Sequence, residues 1–271
     1  MSKKDSTQKK SQKFSKIAKN LGWQTLFSVA LFALIYASIF LSAFVVSFIM
    51  AIILRDKITL PVWTTVYQAI TYISAVALIL FLLPKLAQAV EKIKSLQKVA
   101  QKDPLTLAQK NTRDSLGLTG LPTWTDIGLA PIAFVVALII GALLTAIFSA
   151  IFPWFNAEQT QEIGYSTTIM GLDRIYAFVA ICIVAPIAEE LLFRGWLYGK
   201  QRTKLGAFFA IILNAIFFGL MHGQWNVALT VGAMGAAACF LREITGTIYA
   251  GILLHVLKNT IAFLLLFTLG L

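Results

Sequence analysis

Charge is scarce in this chain, and acid scarcest: 12 Asp and Glu stand against 23 Lys and Arg, and only 13% of 271 residues are charged. With 58% hydrophobic residues and a mean hydropathy of +0.80, a soluble domain is excluded and an integral membrane protein is implied. Cysteine is equally thin. Cys182 and Cys239 both fall in apolar stretches, which gives a disulfide no support and reads as two small, free, apolar side chains. No H-E-x-x-H helix is present, so the usual signature of a zinc protease is missing. Nor is there an internal repeat, or a pair of broken helices in matching halves, which argues against a transporter.

Long charge-free runs are what the chain does have. A bilayer core needs about 20 apolar residues in helical form, and 26–54, 58–84 and 127–157 each exceed that. Residues 175–199 form a fourth candidate span. The run 205–241 is too long for one helix and breaks at "HGQWN" (222–226) into two. Residues 244–271 complete an all-α, polytopic bundle of about seven spans. The first run is far longer than the apolar core of a signal peptide, so a retained helix is expected.

Basic residues set the expected orientation. Seven lysines precede residue 22, seven Lys or Arg lie between 85 and 113, and "KQRTK" (200–204) adds three. All fall on one side if the N-terminus is inside and the C-terminus outside. The net charge of +11 is then mostly this bias plus attraction to anionic lipid, and nucleic acid is not an expected partner. A bacterial cell membrane is the expected location.

This divides the chain into a basic cytoplasmic tail (1–22) that need not fold, two membrane helices (23–84), a cytoplasmic amphipathic segment and linker (85–124), and a membrane bundle (125–271). In 85–102, Leu86, Val90, Ile93, Leu96 and Ala100 share a helical face opposite lysines, which suits the inner membrane surface or a simple extension of the second span. "GAMGAAACF" (232–240) offers a small-residue face that could pack helices within one chain or between copies. The oligomeric state stays open.

Against this background "IVAPIAEELLFRGWLYG" (183–199) is anomalous. Each ionisable group at membrane depth costs at least about 2.5 to 3.5 kcal/mol, and this stretch holds three within six residues. Glu190 and Arg194, at i and i+4, can pair on one face. Glu189 is turned about 100° away and must face something else. Both histidines lie in or at the end of spans: His222 closes "FFGLMHG" with Phe218 four residues earlier, and His255 in "GILLHVLKNT" has Asn259 four residues later. One carboxylate, two imidazoles and an amide from three helices would make a polar pocket inside an apolar bundle, a functional-site hypothesis. A non-catalytic scaffold or immunity factor locked by these groups is an alternative, and so is a zinc site built from the same residues.

"EELLFR" (Glu189 to Arg194), "FGLMH" (Phe218 to His222) and "HVLKN" (His255 to Asn259) resemble the three ordered motifs E-E-x-x-x-R, F-x-x-x-H and H-x-x-x-N of the CPBP (Abi) family. This family of intramembrane glutamic endopeptidases includes CAAX prenyl endopeptidases and bacteriocin-processing or immunity proteins. The resemblance covers roughly residues 175–260. It implies that Glu189 and His222 activate water, that His255 and Asn259 form an oxyanion hole, and that Glu190, Arg194 and Phe218 support the site. It implies no cofactor or metal, and a hydrophobic or membrane-associated peptide or protein as substrate. One requirement follows from helix rise: at about 1.5 Å per residue, His222 stands roughly 27 Å from Lys204, whereas Glu189 stands roughly 16 Å from Lys200. For the two to meet, the fifth helix must tilt strongly or start deeper, or the topology must differ.

Overall fold

A computed structural model describes residues 3–53, 60–85, 116–159, 161, 165 and 169–269. The amphipathic segment 85–102 and the first part of the linker lie almost wholly outside the described residues. Every element described is helical: α1 (Lys3–Ile53), α2 (Leu60–Ala77, continued by a π-helical turn at Leu78–Leu82) and α3 (Trp124–Ile151) come first. Next comes α4 over 171–198, in which α-helical turns (Gly171–Phe178, Ala185–Glu190) alternate with π-helical ones (Val179–Val184, Leu191–Tyr198). It is followed by α5 (Gly199–Leu220), α6 (Trp225–Thr245) and α7 (Tyr249–Leu264, with a π-helical end at Leu265–Leu269). The backbone of α1 is already helical from Lys3, so helix extends through the basic tail that composition left unfolded.

Among the described residues six helical stretches are long and apolar enough to cross a membrane, one of them the 50 residues of Gly171–Leu220. That stretch bends at Gly206, whose φ of 75° and ψ of 170° no helical residue adopts. Two legs result, and the second, 207–220, is too short by itself to cross a bilayer, so the six candidate spans stand close to the about seven expected from sequence. His222 follows the end of that leg by two residues.

Local signals explain the ends of the bundle helices. Thr123 and Asp126 form a reciprocal capping box at the start of α3, and Gly246 ends α6 in the left-handed conformation, its N–H donating to Arg242 O at 2.9 Å. Packing follows side-chain size. α6 packs against both α5 and α3, and the small-residue face of α6 is spent inside the chain: Gly232 faces the backbone of Ala215, and Gly235 faces Arg194 and Phe218. By contrast α1 and α3 leave Phe40, Phe44, Ile132 and Leu143 more than half exposed, the surface that lipid covers.

Candidate active site

α4 carries the two glutamates in opposite circumstances. Glu190 and Arg194 are 0% exposed and pair at 2.9 Å. The guanidinium lies 3.9 Å from the centroid of the Phe218 ring, and that ring meets His222 and His255 edge-on, with centroids 5.3 and 5.7 Å away. Two glycines admit the pair. A Cβ at Gly251 would stand 2.9 Å from Glu190 Oε2, and one at Gly235 would stand 3.0 Å from Arg194 Nη2. Larger residues there would push α7 and α6 off α4.

Glu189 looks the other way, into a cavity of about 650 Å³ whose lining includes Tyr72, Glu189, His222, His255, Lys258 and Asn259. Its Oε1 accepts a hydrogen bond of 2.6 Å from the Tyr72 hydroxyl. Its Oε2 accepts none from the described residues and stands 3.9 Å from His255 Nε2. His255 joins both carboxylates, because its Nδ1 lies 3.2 Å from Glu190 Oε1. A proton shared with Glu190 belongs on Nδ1. Its Nε2 then acts as a donor only when the ring carries two protons.

The tautomer of His222 follows from its partner. Nδ1 lies 2.9 Å from Phe218 O, a carbonyl that can only accept, so the proton sits on Nδ1 and Nε2 keeps its lone pair. A lone pair beside a carboxylate in one cavity is what proton abstraction from water needs. The depth difference read from sequence is thereby resolved, since Glu189 and His222 line the same cavity.

Asn259 is fixed by a backbone defect. In the π-helical turn the N–H of Ala185 donates to Ala180 O instead of Ile181 O. The next residue, Pro186, has no N–H to offer. Ile181 O is thus left without a backbone donor, and Asn259 Nδ2 supplies one at 2.8 Å. One amide proton of Asn259 is committed to joining α7 to α4, and the second is free for a ligand. Arg242 treats the lower π-helical turn similarly, donating through Nη1 to Arg194 O and, at 3.1 Å, to Gly195 O.

Residues 171–261 match the family model described as Rce1-like, type II CAAX prenyl endopeptidase. A Bacillus subtilis (strain 168) protein named "Putative membrane peptidase YdiL" is 30% identical over 162 residues, covering 58% of this chain and 60% of that protein. Both findings agree with the resemblance to the CPBP family carried by the three motifs. No solved structure matches this chain. The chain thus spans about three-fifths of the length of this relative.

The seven motif residues lie close together: Glu189, His222, His255 and Asn259 at the cavity, and Glu190, Arg194 and Phe218 behind it. Tyr72 and Lys258, the groups that act on Glu189, were not among the sequence candidates. Tyr72 belongs to α2, outside the matched region, and Lys258 appears in sequence only as an interruption of the last span. A polar stripe was there to be seen, because Thr65, Gln68 and Tyr72 share a face of an otherwise apolar helix. Tyr165, from the loop after α3, bonds to Thr65 at 2.9 Å and Gln68 at 3.3 Å. Burial pushes its phenol above the usual value, against the opposing pull of Thr65. Among the described residues no three His, Cys, Asp or Glu side chains converge to hold a metal ion, so a zinc site made of Glu189, His222 and His255 has no ligand geometry to support it.

Proposed function

We propose that the protein is an intramembrane endopeptidase that hydrolyses a peptide bond with a water activated by Glu189 and His222. The observation that carries this reading is the convergence of Glu189, His222, His255 and Asn259 on one cavity. A water between Glu189 Oε2 and His222 Nε2 gives up a proton as its oxygen attacks the carbonyl carbon. The free amide proton of Asn259, together with His255 in its doubly protonated form, holds the oxygen that becomes negative. Collapse breaks the C–N bond, and the abstracted proton goes to the leaving nitrogen. Tyr72, by occupying Oε1, keeps Oε2 turned to the water.

The substrate is a hydrophobic or membrane-associated peptide or protein, since beyond the polar end the cavity is lined by Ile39, Ala43, Phe263, Leu266 and Phe267. The basic bias of the first tail and of 85–113 supports an N-terminus in the cytosol, and a bacterial cell membrane suits a chain of this kind. The test is cleavage of a fluorogenic membrane-peptide library by detergent-purified protein. Wild type should cut, Glu189→Ala and His222→Ala should not, and a strong chelator should change nothing. Equal cleavage by all three would remove both residues from the mechanism, and full cellular function of a folded Glu189→Ala protein would favour a scaffold.

A further inference from the structure

Lys258 is a cation placed in an apolar bundle with no motif to account for it. It lines the cavity with Glu189 and Asn259, and no hydrogen bond or ion pair with the described residues holds it. An ammonium at membrane depth costs at least about 2.5 kcal/mol, which a structural role would normally offset with a fixed partner. Its electrostatic partner is Glu189, whose Oε1 is already taken by Tyr72.

Helix geometry says where that ammonium reaches. Lys258 follows His255 by three residues on α7, so the two share a face, about 4.5 Å apart along the axis. Side chains on a helix lean toward its N-terminus, which swings the ammonium back toward the turn that carries His255, in the cavity that both residues line. The other donors are partly spent: Asn259 gives one proton to Ile181 O, and His255 turns Nδ1 to Glu190. The free ammonium is the strongest uncommitted donor on this face.

We propose that Lys258 is an additional oxyanion ligand, its Nζ–H donating to the scissile carbonyl oxygen as that oxygen takes up negative charge. The inference rests on the proteolytic reading above. When the water oxygen bonds to the carbonyl carbon, one water proton passes to Glu189 and the carbonyl electron pair moves onto oxygen, where Lys258 holds it. The pair returns as the C–N bond breaks, and the leaving nitrogen takes the proton from Glu189. Lys258 keeps its own protons throughout.

The experiment uses the full chain in detergent and the library peptide that wild type cuts fastest. Lys258→Met should lower kcat about 100- to 1,000-fold, the usual loss for one oxyanion donor, with KM within about threefold. Lys258→Arg should recover at least about tenfold of that loss, and Lys258→Gln, a polar replacement, guards against a folding defect in the Met variant. A peptide aldehyde of the same sequence, whose hydrate mimics the tetrahedral intermediate, should lose affinity by the factor lost in kcat/KM. Unchanged kcat in Lys258→Met would overturn the proposal. So would a fall in kcat without weaker aldehyde binding, the mark of a counter-ion for Glu189, or a rise in KM alone, the mark of a ground-state anchor. No cleavage by wild type would instead overturn the proteolytic reading, and this inference with it.

Discussion

Glu189 and Glu190 are neighbours in the chain, yet they belong to two regions built on opposite rules. Behind α4, Glu190 is fully buried, paired with Arg194 and touched by His255, and glycines bring α6 and α7 in close. In front, Glu189 is 14% exposed, keeps one oxygen without a hydrogen-bond partner among the described residues, and faces the cavity. The rear charges are enclosed and paired, and the front one is open to a ligand. Enclosure makes a support, because a charge sealed against its counter-charge cannot reach a substrate. A carboxylate held in place at a cavity is what a reaction can use.

The sharpest way to break this contrast is Glu189→Gln. Activity should fall by up to about 10⁴-fold while the melting temperature in detergent stays the same or rises; equal losses of both would mean that the two glutamates serve one structural role. Next comes Arg194→Met, which leaves Glu190 buried without its partner. It should cost about 3 to 5 kcal/mol of stability, read as a lowered melting temperature, and a stable variant would show that Glu190 needs no counter-charge. Gly251→Ala puts a methyl group against Glu190 Oε2 and should destabilise by about 1 to 3 kcal/mol, measured in the same assay.

On the cavity side, Tyr72→Phe removes a hydrogen bond to a carboxylate. A drop in kcat of about 10- to 100-fold, the equivalent of about 1.5 to 3 kcal/mol, is expected with little change in KM. Tyr67→Phe is the control, because Tyr67 lines the same cavity from the same helix. If both variants behave alike, Tyr72 only fills space. The smallest effect should come from exhaustive chelation, which is expected to leave the rate within about twofold; a chelator-sensitive rate restored by zinc would move the site to metal chemistry.

How legible each residue was depended on how far it departed from its surroundings. Glu189, Glu190 and Arg194 stood out because charge in an apolar run is costly, and the two histidines because there are no others. Tyr72 did not, since a phenol scarcely disturbs hydropathy and its partner lies 117 residues away. Lys258 stood out, but only as an exception to a span. Asn259 was visible as a polar residue near His255, whereas its bond to Ile181 O depends on a π-helical turn meeting a proline that lacks an N–H. Those π-helical turns in α4 were not visible in the spacing of apolar residues, which fits an ordinary helix equally well over so few turns.

The sequence alone determined that this is a helical membrane protein, roughly how many times it spans, and which residues are too polar for their places. Those properties follow from the free energy of putting each side chain in hydrocarbon, which is local and additive along the chain. Tertiary structure decided which atom of each residue is committed and which is left to act: Oε1 of Glu189 to Tyr72, Nδ1 of His222 to Phe218 O, one proton of Asn259 to Ile181 O. It also brought Glu189 and His222 to one cavity. Periodicity fixes the face of a helix on which a residue lies, but depth and partners depend on bends, π-helical turns and close approaches that exist only once the helices pack.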